Sequence, residues 1–391
     1  MNCLIVSGFF MTFTQLYIQE CSPPHMRGTM LVMFQFWISV GSCIGTVVDN
    51  YTTKIAGRLC YQIPLAILFI VPVVITASSP FIPDSPRWLI SHGKPEEALT
   101  ALRRLRGTFY HEKMIAEEFQ EIKESWAVEL EFAQHSTIYD MFRGTDLRRT
   151  LLSVAAVSFQ GSSGAMFLLI YGTYFFLMAG STHPFQDSIV LSCIGLAAIM
   201  LMTVIIRHLS RRMILMVSFF VQSIAMLIVA VVYTTAPTSP SAMKCLVAFV
   251  SIYIFFYGGW AAPTAWLVAG EIPSQRLRSH TLGLGAGVGF LLGWIAAFTA
   301  PYFINPLDLN WGPKYGYIWF PSNLVTAIFI FFYLPETKDR TLEEIDEMFH
   351  NKVPARKFAG YQCVASEQAR EHGANKMGEK GILEQVESVN E

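Results

Sequence analysis

Two short runs hold the charges whose types and spacing could do chemistry together. Glu20 to Arg27 reads ECSPPHMR, and Glu271 to Arg278 reads EIPSQRLR. In each, a Glu closes an apolar run, one or two prolines follow, and an Arg stands seven residues beyond the Glu. A Glu at the end of one apolar segment and an Arg at the start of another can pair when the segments meet and release when they part. Such a contact suits a two-state switch. The expected pairs are Glu20 with Arg278, and Glu271 with Arg27 or Arg211. The plainer alternative is a set of solvated loop charges, each exposed pair worth about 0–1 kcal/mol. A second match favours the switch: Pro83-Asp84-Ser85 pairs with Pro335-Glu336-Thr337. The two repeats lie 251 and 252 residues apart, so they share one register, as duplicated halves do.

The elements that position these charges are long and apolar. Of the 391 residues 53% are hydrophobic and 15% charged, and the charges fall between the apolar runs. Such runs read as membrane spans of roughly 20 residues, enough to cross about 30 Å of hydrocarbon. Nine are expected, at about 2–19, 28–48, 62–82, 150–178, 187–206, 213–233, 243–270, 280–304 and 316–334. The fold class is therefore all-α, polytopic and membrane-embedded. Of the 28 Lys and Arg, all but Lys54, Arg58, Lys244 and Lys314 lie in alternate loops and the tail. By the positive-inside rule those segments, both repeats and the C-terminus face the cytoplasm. Four spans precede Glu271 in its half but one precedes Glu20, so equivalent halves would make a unit of six plus six. On that count the chain carries nine of twelve spans and reads as a truncated form or incomplete gene model. The organisation is then 1–83, the remainder of the first half (spans 4–6); 84–149, a cytoplasmic helical loop; 150–334, the six-helix second half; and 335–391, a cytoplasmic tail. The tail opens on a capping box of Thr341 and Glu344 and turns polar beyond Phe358.

Other chemistry is thin. Seven cysteines show no metal or redox spacing, and the spans hold no nucleophile or paired carboxylates, so no catalytic residue and no metal are expected. A net charge of −1 argues against a nucleic-acid partner. Asn50-Tyr51-Thr52 is a glycosylation sequon set against the membrane, with modification disfavoured there.

Parallel repeats of six spans suit a secondary transporter that binds substrate near the midplane. The chain resembles the sugar-porter branch of the major facilitator superfamily over nearly all of 1–358. PDSPRWLISHGKPEEALTALRRLRG (83–107) resembles the segment after that family's sixth span, PETKDRTLEEIDEMF (335–349) the one after its twelfth, and RHLSRR (207–212) its short basic loop. Within the family, YDMFRGTDLRRT (139–150), QGSSG (160–164), YGTYFFLMAG (171–180) and VPARKF (353–358) look most like fungal α-glucoside (maltose-type) permeases. The resemblance implies a major facilitator fold and a substrate site at Gln35, Gln160 and Trp266, with Trp260, Tyr171 and Tyr174 as weaker candidates. An amide offers donor and acceptor to a sugar hydroxyl, though Gln also serves as an inter-helix hydrogen bond in membranes. Trp266 lies near a span end, where an interfacial anchor is its other reading.

The chain departs from the family at Gly161, in the place of a second glutamine, at Met166, in the place of an asparagine, and at the glycines of GVGFLLG (287–293). These changes are expected to widen the pocket and fit a larger glycoside. No span carries an ionisable residue away from its ends, where a proton relay would be expected. The resemblance places the coupling carboxylate on a first span that the chain does not reach. The reading is a monomeric plasma-membrane carrier for sugar, proton-coupled by ancestry, taking α-glucosides such as maltose. It needs no cofactor; the proton is the coupling ion if there is one. The alternatives are a hexose or polyol facilitator, a sugar sensor, and an inactive fragment.

Overall fold

The computed structural model describes residues 14–363 apart from 15, 16, 19, 24–26, 108, 109, 136, 206, 207, 238, 339, 341 and 362. Nearly all of the expected 2–19 span, Thr341 of the expected capping box and the tail beyond 363 lie outside the described residues, as does the side chain of Arg27.

Every regular element among the described residues is helical, as backbone in lipid requires unless it closes into a barrel. After α1 (Arg27–Thr52) come α2 (Leu59–Ile67) and α3 (Ile70–Ser78). Three helices follow outside the apolar runs: α4 (Pro86–Ser91), α5 (Pro95–Arg106) and α6 (Glu112–His135). A bundle then forms from α7 (Gly144–Gly161), α8 (Ala165–Ala179), α9 (Pro184–Ile205), α10 (Arg211–Thr235), α11 (Pro240–Ile254), α12 (Ala262–Glu271), α13 (Arg278–Ile304) and α14 (Gly316–Tyr333). The short α15 (Leu342–His350) closes the described chain. Among the described residues seven segments are long and apolar enough to cross a membrane, and α1 adds a continuous 26-residue helix over the expected 28–48 span.

Two spans of the bundle are not simple helices. The chain breaks between α7 and α8 at Gly161-Ser162-Ser163-Gly164, where Gly164 takes φ 89°, a conformation that favours glycine. Between α11 and α12 the residues Phe255–Ala261 widen into a π-helical turn, a feature frequent at functional sites. The carbonyls freed at the first break are taken up at once. Ser162 O accepts from Ser322 Oγ at 2.6 Å, and Ser163 O from Asn323 Nδ2 and Tyr253 Oη, both at 2.9 Å. Irregular backbone at membrane depth persists only where such partners exist.

Helix α7 packs closely on α13, and α10 on α14. At the first contact a Cβ added to Gly161 would run into the backbone of Gly289 and Gly293. Gly293 also lies against Met166. Gly289 and Gly293 therefore bring two helices together and do not line the cavity described below, whereas Met166, another of the departures, does line it. The apolar core runs through the bundle, with Phe167, Phe175, Tyr253 and Tyr315 in one cluster. A second cluster joins Phe219 and Ile272 to Phe349 and Phe358, which fastens α15 and the following residues to one end of the bundle.

Candidate functional site

A cavity of about 610 Å³ opens between α1 and the bundle, within the range of about 300–1,000 Å³ usual for small-molecule sites. Gln35 reaches it from α1, Gln160 from the end of α7, and Trp266 from α12. Gln160 is buried, and its Nε2 donates to the Ala262 carbonyl at 2.5 Å. That bond uses one of the two amide N–H groups and leaves the second N–H and Oε1 without a protein partner among the described residues. The inter-helix and substrate readings of this glutamine are thus compatible. Trp266 is 39% exposed, so a face of its ring is open to a ligand.

The weaker aromatic candidates sit elsewhere. Trp260 packs against Phe255 and Phe256 in the π-helical turn, and Tyr171 and Tyr174 pack on the bundle core. None of the three lines the cavity.

Hydroxyl groups supply what the sequence reading missed. Gln35, Ser39, Ser42 and Thr46 recur along α1 at spacings of four, three and four, so they share one helix face, and all four line the cavity. Opposite them stand Thr173, Ser188 and Ser192. Thr173 and Ser188 are bonded at 2.7 Å, and Thr46 Oγ1 stands 3.4 Å from Ser192 Oγ. The spacing was present in the sequence; the facing hydroxyls on α8 and α9 were not predictable without the packing.

The repeated charges assemble at the far end of the helices. Glu271 accepts Arg211 Nη2 at 3.0 Å and Thr337 Oγ1 at 2.5 Å. Glu336 caps the start of α10, receiving Arg211 N at 3.1 Å and Arg212 N at 3.2 Å, as a carboxylate at a helix N-terminus should. Arg211 and Glu271 both belong to the bundle, so their pair braces α10 against α12 and does not bridge to the first copy. No ion pair among the described residues involves Glu20, and none joins it to Arg278, which starts α13. Of the expected pairs, the one between Glu271 and Arg211 is present, because the start of α10 brings a cation to Glu271 within its own bundle.

What the two copies do share is a carbonyl capped by a buried arginine. Arg106 Nη1 donates to Cys21 O at 2.8 Å and Arg149 Nε to Ile272 O at 2.7 Å. Each arginine also grips an acid: Arg106 pairs with Glu118 on α6 at 2.5 Å, and Arg149 with Asp346 on α15 at 2.5 Å. The hydrogen bonds that Arg106 donates to Glu118 raise its pKa above the ordinary value against the opposing pull of burial. Burial pushes the Cys21 thiol up to about 11.

Residues 4–349 match the family model described as "Sugar (and other) transporter". The chain belongs to the sugar transporter family. A major facilitator-type transporter of Aspergillus rugulosus is 29% identical over 94% of this chain and 70% of its own length. A hexose transporter of Saccharomyces cerevisiae is 27% identical over 88% of this chain and 64% of its own. An inward-open xylose transporter of Escherichia coli superposes with a TM-score of 0.69 at 20% identity, covering 85% of this chain and 68% of that one. Against the first curated relatives the sugar transporter chain spans between 46% and 70% of their length. It is a multi-pass membrane protein of the major facilitator fold, and its family consists of transporters, not enzymes.

Proposed function

We propose that the cavity between α1 and the bundle binds a neutral sugar and passes it across the membrane by alternating access. The observation that carries this reading is the convergence of Gln35, Gln160 and Trp266 from three helices on one cavity. Two amides suit ring hydroxyls, and an aromatic face suits the C–H side of a pyranose. The charges at the Glu271 end and the Lys and Arg distribution support an orientation with both repeats and the C-terminus in the cytoplasm.

For the substrate, the family names favour a hexose-sized monosaccharide: relatives include transporters named for hexose, glucose, fructose and galactose. The α-glucoside expectation stays as the second reading because of one feature. The polar face from Gln35 to Thr46 covers twelve residues of helix, about 16 Å at a rise of about 1.5 Å per step, longer than a single sugar ring. Uptake of labelled glucose in competition with unlabelled glucose, maltose and sucrose decides between them. Glucose alone competing supports the monosaccharide; maltose competing at equal or lower concentration supports the glucoside; neither competing removes sugar as the substrate. Repeating the uptake with and without a collapsed proton gradient separates a symporter from a facilitator.

A further inference from the structure

Cys43 on α1 and Cys193 on α9 face each other with their sulfurs 3.6 Å apart. Beside them, the Thr46 hydroxyl, which donates to the Cys43 carbonyl at 2.9 Å, stands 3.4 Å from the Ser192 hydroxyl across the same seam. Helix α9 is the bundle helix against which α1 packs most closely, so the two thiols sit across the main contact between α1 and the rest of the described chain. A disulfide needs sulfurs about 2.05 Å apart, so closure of about 1.5 Å is required. That is within reach of side-chain rotation, with the helices already in contact. Cys193 is exposed and Cys43 partly so, and their sequence neighbours Ser42 and Ser192 line the cavity. Small oxidants therefore reach both sulfurs. Neither thiol has a part in the sugar site.

We propose that Cys43 and Cys193 form a reversible oxidation site that joins α1 to the bundle. Two thiols give up two protons and two electrons, and an S–S bond forms. A peroxide takes both, its O–O bond breaks, and two waters leave when the oxidant is hydrogen peroxide. A dithiol reductant reverses the step by thiol–disulfide exchange. If the cavity works by alternating access, the reading proposed above on which this consequence rests, the joined form cannot rock and carriage stops.

The test uses the full chain in membranes, with a protease site placed in the loop between α5 and α6. After hydrogen peroxide and maleimide quenching, the cut wild-type chain is expected to run as one species on a non-reducing gel and as two after dithiothreitol. Cys43→Ser and Cys193→Ser are expected to run as two throughout. Mass tagging of the wild-type thiols before and after oxidation gives the same answer without a substitution, two tags being lost together. Fragments that separate after oxidation with both thiols still taggable overturn the proposal, as does a joined species that persists in Cys43→Ser. Uptake of labelled glucose is expected to fall to background in the oxidised wild type, to recover with dithiothreitol, and to stay unchanged in Cys193→Ser. Full uptake by the joined form would refute the lock. Absent uptake in the reduced chain would count against the carrier reading, while the gel still decides the cross-link.

Discussion

The two copies of the repeated motif can be compared atom by atom, and they agree where the sequence is silent and differ where it is explicit. Cys21 and Ile272, each the residue after the repeated Glu, give their carbonyls to buried arginines that also hold an acid on an outer helix. The last carbonyls of a helix lack partners within it, so this is a structural need common to both copies. The Glu residues themselves differ. Glu271 is held by Arg211 and Thr337, whereas Glu20 enters no ion pair among the described residues. The repeat therefore encodes a way to finish a helix, and only one copy adds a charge brace to it.

Substitutions can break or sharpen that comparison. The largest effect is expected from Arg106→Ala. It orphans the Cys21 carbonyl and strands Glu118, whose side chain is only 15% exposed; losing one partner of a buried pair costs about 3–5 kcal/mol. Arg149→Ala is expected to cost less, about 1–3 kcal/mol for the Ile272 carbonyl alone, because Asp346 is 42% exposed and can turn to water. Thermal unfolding followed by tryptophan fluorescence in nanodiscs measures both. Equal losses would mean that the outer acids contribute nothing to the difference.

Smaller effects test the charges. Glu271→Gln is expected to lower stability by about 1–3 kcal/mol, since it loses charge-assisted bonds to Arg211 and Thr337. Glu20→Gln should change stability by less than about 0.5 kcal/mol, as surface substitutions do. If Glu20→Gln matched Glu271→Gln, Glu20 would have a strong partner and the latch across the two copies would be restored.

These differences show what could be read in advance. The apolar runs fixed the spans of the bundle because lipid leaves the backbone few choices. The register of the repeats located the carbonyls that need capping. The donors were not legible: Arg106 and Arg149 lie only 43 residues apart, far from the repeat interval, and packing alone selects them. Gln35, Gln160 and Trp266 were legible through the family pattern, while Ser322, Asn323 and Tyr253 were not, because their role depends on carbonyls that only the broken span exposes. Gly289 and Gly293 were read for the space they leave, but the structure uses that space to seat a neighbouring helix.

The central claim is that sugar sits between α1 and the bundle, held from both sides. Binding of glucose to the purified chain in nanodiscs, compared among wild type, Gln35→Ala and Gln160→Ala, tests it most directly. Each substitution is expected to weaken binding by about tenfold, one hydrogen bond's worth at about 1.4 kcal/mol, with the melting temperature of Gln35→Ala unchanged. Undiminished affinity in both variants would place the sugar elsewhere and contradict the account.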